Sequence, residues 1–278
     1  MARYLLQGRW RRSAGRTLLG TFCLFSTAFP LPILQSKSEP AQILLAQGSG
    51  TNRSFYDKAR RELGEPYYTI YRVVDRLARA NDLDQWPWRV KVEPAYDINA
   101  FASETNRLSI ATGLIDQLAG DSAAIACVMG HEMAHHVLRH NALKEKDVVN
   151  ARQRVSGGEE NAAQDLLAAS RTMEMEADRS GYVYMARAGF DPQGCMRLLD
   201  VMARQSSAEF DTTHPAIPRR IEQMRQLIQS RSPATLAAEG KARLRASRPL
   251  TYALSHDHNS LRINSRIAGF SQAFPDDL

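Results

Sequence analysis

The sequence predicts a mainly helical α+β domain, with a small β-sheet set beside one apolar, histidine-bearing helix. Two patterns predict it. Long stretches repeat their apolar residues at helical spacing, whereas only short runs alternate. Most of those short runs fall together, between residues 88 and 111, directly ahead of an Ala-rich apolar segment. Runs of that length suit strands at the side of a helical core rather than a large sheet.

Taken in order, Tyr56, Leu63, Tyr67, Ile70, Val73, Val74 and Leu77 recur on one face, which predicts a single helix from about Ser54 to Asn81. Trp88-Arg89-Val90-Lys91-Val92 alternates and reads as a strand that turns at Pro94. Asp97 to Phe101 and Arg107 to Ala111 are two further strands, joined through Glu104-Thr105-Asn106. Helices are expected at 113–119, 121–145, 161–188, 192–205 and 215–231, the second of them capped by Asp121 or Ser122. Gly157-Gly158 interrupts the helical pattern, and the charged stretch Lys144 to Asn161 reads either as a lid or as a plain surface connection. Beyond Ser232 a polar linker is expected. Leu250 to Ser255 and Ser260 to Asn264 then flank His256-Asp257-His258-Asn259, which reads as a β-hairpin around a polar turn.

Residues 1–46 stand apart. Arg3, Arg9, Arg11, Arg12 and Arg16 precede an apolar run, Leu18 to Phe29, that ends at Pro30 and Pro32. This is the order of an export signal. The run is short against the roughly 20 residues of a membrane span, and a retained anchor is the alternative. The segment carries five Arg, Lys37 and Glu39, a net of +5, so most of the chain's +6 belongs to it. The high isoelectric point is therefore no sign of nucleic-acid binding. The residues after it suffice for one well-buried domain, expected over 52–231, with 232–278 as a C-terminal extension. Of the three cysteines, Cys127 lies on an apolar helix face and Cys195 begins another helix. Two separately buried thiols are expected, and a disulfide in an oxidising compartment is the alternative.

His131-Glu132-Met133-Ala134-His135 spells H-E-x-x-H, a zinc-binding pattern in which the glutamate serves as general base. Residues four apart lie one turn above each other on a helix, so both imidazoles reach one ion. Ala124, Cys127, Val128 and Leu138 project onto the same face, which places the histidines against an apolar interior. Two histidines and a glutamate buried there without partners would cost several kcal/mol, which disfavours simple packing. His136 and His140 project to the other side of a continuous helix and are assigned to the surface or to positions behind the ligands. Catalytic zinc takes three protein ligands and a water. Glu174 and Asp178 share a helix face at i, i+4. Glu174 suits the third ligand, and Asp178 suits the carboxylate that holds a ligand histidine by its other ring nitrogen. Glu176 points elsewhere, onto a water-facing acidic surface.

These segments resemble the gluzincin zinc metallopeptidases that include HtpX-type proteases and the CAAX prenyl endopeptidases. The likeness rests on H-E-x-x-H, on Ser170-Arg171-x-x-Glu174-x-x-Ala177-Asp178, on Asn99-Ala100-Phe101-Ala102 followed by Thr112-Gly113-Leu114, and on His214-Pro215-Ala216-Ile217-Pro218-Arg219-Arg220. It covers about Asp97 to Ile221, and among family members it is greatest to soluble periplasmic ones such as the β-barrel assembly-enhancing protease, without its repeat domain. The resemblance implies a zincin-like fold and one Zn2+ on His131, His135 and Glu174, with Glu132 as general base. It implies that Asn99, Ala100 and Phe101 pair with the substrate backbone as an added strand. It also implies that His214 and Arg220 stabilise the oxyanion, or that His214 fills the open zinc position in a latent form. His-Pro before a helix is equally an ordinary helix start. Polypeptides are the implied substrates, with association to the membrane or to envelope proteins. Prenylated-peptide cleavage is not implied. A chaperone-like or latent binding protein that retains the zinc site is the competing reading.

Overall fold

The computed structural model describes residues 50–103, 106–204 and 217–264. Residues 1–46 and His214 lie outside them. Helix α1 (Gly50–Leu63) and helix α2 (Tyr67–Ala80) occupy the stretch predicted as one helix. Gly64 at φ +65° and Pro66, which lacks the N–H that a continuing helix needs, separate them. Helix α2 sends Ile70, Tyr71, Val73, Val74 and Leu77 into the core, each worth about 1.5–3 kcal/mol when fully buried.

Five strands form one mixed sheet: β1 (Trp88–Glu93), β2 (Ala100–Ala102), β3 (Arg107–Ala111), β4 (Tyr252–Leu254) and β5 (Ser260–Ile263). Their order is β2-β3-β1-β5-β4. Strand β1 runs parallel to β3, with Val90 opposite Leu108, and antiparallel to β5, with Trp88 opposite Ile263. The fully buried Trp88, Leu108, Ile110, Leu261 and Ile263 form the sheet's contribution to the core. The hairpin expected in the tail is present, and β5 inserts it into the main sheet beside β1. The expected polar linker before it is instead helix, as described below.

The remaining helices are α3 (Thr112–Leu118), α4 (Ser122–Val137), α5 (His140–Ser156), α6 (Ala162–Arg187), α7 (Gln193–Ala203), α8 (Ile217–Ser230) and α9 (Pro233–Ala246). The Asp121 carboxylate accepts from the N–H groups of Ala123 and Ala124 and starts α4 as expected. Every residue from Ala123 to Ala134 is buried, because α2, α6, α7 and the sheet surround this helix. A helix apolar on all sides is a core helix. Ser232 caps α9 and Pro233 occupies its first turn, which is why that segment is not a linker.

Two expectations fail around α4. The single helix predicted over 121–145 divides at Leu138–Arg139, where Arg139 adopts φ +59°. Leu138, predicted on the buried face, is therefore exposed. Cys127 and Cys195 are not separate thiols. They form a disulfide between α4 and α7, with Cα atoms 5.2 Å apart. The stretch from Lys144 is the body of α5, which reaches Ser156 before the turn at Gly157-Gly158.

Candidate metal centre

The site forms where α4 crosses α6, and two glycines set how closely the helices approach. A Cβ on Gly181 would lie 2.8 Å from the His131 backbone nitrogen and 3.0 Å from its Cα, and one on Gly130 would lie 3.1 Å from the Gly181 carbonyl oxygen. This approach lets the α6 carboxylates reach the α4 histidines. Gly181→Ala is expected to force the helices apart, to cost about 1–3 kcal/mol as overpacking does, and to weaken zinc binding together with stability. Unchanged melting and unchanged metal content would refute this account of the crossing.

His131 Nε2 and His135 Nε2 are 3.0 Å apart. Glu174 places Oε2 3.3 Å from His131 Nε2 and Oε1 3.5 Å from His135 Nε2. Donors each about 2.0–2.2 Å from one tetrahedral zinc ion stand roughly 3.3–3.6 Å apart. The two Glu174 distances match that spacing and the His131–His135 pair stands just inside it, so the three side chains can gather on a single ion, and they are the one such group among the described residues. Two imidazoles and a carboxylate are also a donor set that zinc takes in catalytic centres.

Behind His131, Nδ1 lies 3.0 Å from Oδ1 of Asp178. Arg220 grips that carboxylate with both Nε, at 2.8 Å, and one terminal nitrogen, at 2.7 Å. Burial pushes the Asp178 carboxyl up, yet Arg220 and His131 hold it well below the usual carboxylate range. Burial likewise pulls the Arg220 guanidinium down, while Asp178 lifts it above the ordinary arginine value. For His131 in the metal-free protein, burial opposes protonation, but Asp178 and Glu174 raise the ring to about 10.

Around the three donors, a cleft of about 200 Å3 is lined by Glu132, by Asn99, Ala100 and Phe101, and by Asn141 and Lys144. Strand β2 forms one end of the sheet, pairing with β3 on one side. Its Ala102 carbonyl accepts from the Asn141 side chain at 2.7 Å, and Phe101 is 43 % exposed. A second, apolar recess that also reaches Glu132 is lined by Ile98, Leu114, Val128, Leu198 and Met202, with Arg220 at its wall.

Arg220 thus lies at the site, but with two of its nitrogens committed to Asp178 rather than directed alone into the cleft. His136 packs edge-on against Trp86 and Trp88. His140 falls behind the ligands, because the break at Arg139 turns α5 back toward the centre. Its neighbour Glu176, expected to face water, is half exposed with Oε2 3.4 Å from His140 Nε2. Asn141, Lys144 and the recess residues Leu198 and Met202 carried no motif that could have marked them.

Two histidines and a glutamate on crossing helices, with a further glutamate in the cleft and a strand edge alongside, define a zinc metallopeptidase centre. The family profile described as "Peptidase family M48" matches residues 67–153 and 150–228, more than half of the chain, and the chain belongs to that family. It is 28% identical to the mitochondrial metalloendopeptidase OMA1 of Saccharomyces cerevisiae, over 67% of this chain and 64% of that protein. It is 30% identical to the mitochondrial metalloendopeptidase OMA1 of Arabidopsis thaliana, over 54% of this chain and 33% of that protein. It is 28% identical to the metalloprotease LoiP of Escherichia coli, over 53% of this chain and 66% of that protein. The chain thus spans less than two thirds of the length of the OMA1 relatives it matches.

Proposed function

We propose that the protein is a zinc-dependent endopeptidase acting on exported or misfolded envelope polypeptides. The observation that carries the reading is Glu132, a buried carboxylate that lines the same cleft as the three donors without being one of them. His131, His135 and Glu174 would hold the zinc. When bound, zinc acts as a Lewis acid, lowering the pKa of its water towards about 7 and polarising a carbonyl.

Glu132 takes the proton of the attacking water and delivers it to the leaving amine. The outer edge of β2 receives the substrate backbone as an added strand along Asn99, Ala100 and Phe101, with the main-chain groups of Ala100 facing outward where those of Asn99 and Phe101 face β3. Asp178 fixes the ring of His131, and Arg220 fixes Asp178. The bidentate grip favours this holding role for Arg220 over direct contact with the oxyanion, and His214, outside the described residues, keeps both roles the resemblance offers it, at the oxyanion or in the open zinc position.

An exported location is supported by the signal-like order of residues 1–46 and by the Cys127–Cys195 disulfide, which persists in oxidising compartments. No helix among the described residues is long and apolar enough to cross a membrane. The test is cleavage of an unfolded model protein by the purified full chain. Cleavage that stops with a chelator and returns with zinc is expected. Stoichiometric zinc with binding of the unfolded chain but no cleavage would establish the chaperone-like reading instead.

A further inference from the structure

The proposed mechanism leaves His140 without a role, yet this residue is only 3 % exposed. Its Nδ1 lies 3.0 Å from Nδ1 of His135, the rings meet edge to face with centroids 5.0 Å apart, and its Nε2 lies 3.4 Å from Oε2 of Glu176. We propose that His140 and Glu176 are positioning residues that lock His135 in the tautomer and orientation needed to bind the metal. The proposal rests on reading His131, His135 and Glu174 as zinc ligands.

The order of protons follows from the geometry. His135 turns Nε2 toward His131 Nε2 and Glu174, so that nitrogen must be bare to coordinate. A neutral imidazole then carries its proton on Nδ1. This N–H faces Nδ1 of His140, which must accept it. The proton of His140 is thereby placed on Nε2, where the Glu176 carboxylate accepts. The opposite tautomer of His140 would set two N–H groups against each other.

The two ligand histidines are therefore held differently. His131 is held directly by a buried carboxylate that is itself clamped by arginine. His135 is held by a neutral ring whose carboxylate lies one ring further out, at the surface. A carboxylate, carbonyl or water usually fills the place that His140 takes here. The left-handed Arg139 makes this arrangement possible. Five residues along an unbroken helix, His140 would stand roughly 140° round from His135 and away from it. Both residues lie outside the H-E-x-x-H letters, His140 on α5 and Glu176 about half a turn beyond Glu174 on α6.

The test uses the purified full chain and zinc, with affinity read by competition against a chelator. His140→Leu, which removes the acceptor, is expected to weaken zinc binding about 10- to 100-fold. His140→Asn, which offers an amide oxygen to the His135 N–H, is expected to recover most of that loss. Glu176→Leu, which removes the acceptor of the His140 Nε2–H, is expected to weaken zinc binding in the same direction by about 10-fold, and wild-type affinity in this folded variant would remove Glu176 from the proposal. A histidine side-chain 1H–15N spectrum of the zinc-loaded wild type should show His135 protonated on Nδ1 and His140 on Nε2, a readout that does not depend on any variant folding. A folded His140→Leu protein with wild-type affinity, or a His140 proton on Nδ1, overturns the proposal. Failure of the wild type to bind zinc overturns the underlying site assignment instead.

Discussion

Glu132→Gln is expected to keep zinc at wild-type content and to lose about 100-fold or more in peptide cleavage. The magnitude follows from the 10²–10⁴-fold that a positioned general acid–base group contributes. Glutamine has nearly the shape of glutamate, so the packing of α4 around position 132 is preserved, while the amide cannot accept a proton from water. Glu132 is 6 % exposed, and its carboxylate is not among the three clustered donors. Metal content should thus be indifferent to the change, and kcat should carry the whole effect. Metal analysis and turnover of the same preparation separate the two quantities. Retained zinc with retained turnover would remove Glu132 from the mechanism and require another base in the cleft. Lost zinc would instead place its carboxylate in the coordination of the ion.

The parts of the site that one helical turn encodes are legible in the sequence. His131 and His135 lie one turn apart, as do Glu174 and Asp178, and the structure brings Glu174 to both histidines and Asp178 to the first. The Gly64-Glu65-Pro66 break was written in the letters, but the apolar spacing continues across it and outweighs it. Nothing in the residues around Arg139 announces a left-handed turn, since neither glycine nor proline is there. Projection along a continuous helix consequently sets His140 on the far side from His135, and of the two placements expected for it, the surface or a position behind the ligands, the second is the one found. The disulfide and the β1–β5 pairing are of another kind. Cys127 and Cys195 are 68 residues apart, and β5 meets β1 across most of the chain. No local pattern reports such a meeting, because it is set by how α7 and the tail pack on the finished core.

Arg220→Leu is expected to destabilise the protein more than the loss of both charges would. Arg220 and Asp178 are 4 % and 5 % exposed, and removing one partner of a buried ion pair leaves the other charge uncompensated, at a cost of about 3–5 kcal/mol. A domain of this size has about 5–15 kcal/mol in all, and each kcal/mol lowers Tm by about 2–4 °C. The single variant should thus melt about 10 °C below the wild type. Replacing the pair by apolar residues of similar volume is often neutral or stabilising, so Asp178→Leu combined with Arg220→Met should recover much of that loss. Zinc affinity should not recover with it. Without the Asp178 carboxylate, the ring of His131 loses the partner that orients it, a change that typically costs 10–100-fold. Thermal melts of the metal-free proteins and chelator competition therefore move in opposite directions between the single and the double variant. If the double variant instead regained both stability and zinc affinity, the pair would be a packing element and His131 would need no support from Asp178. If the single variant melted with the wild type, the two Arg220–Asp178 bonds at 2.7 and 2.8 Å would add nothing net to stability, and the buried-pair account of Asp178 would fail.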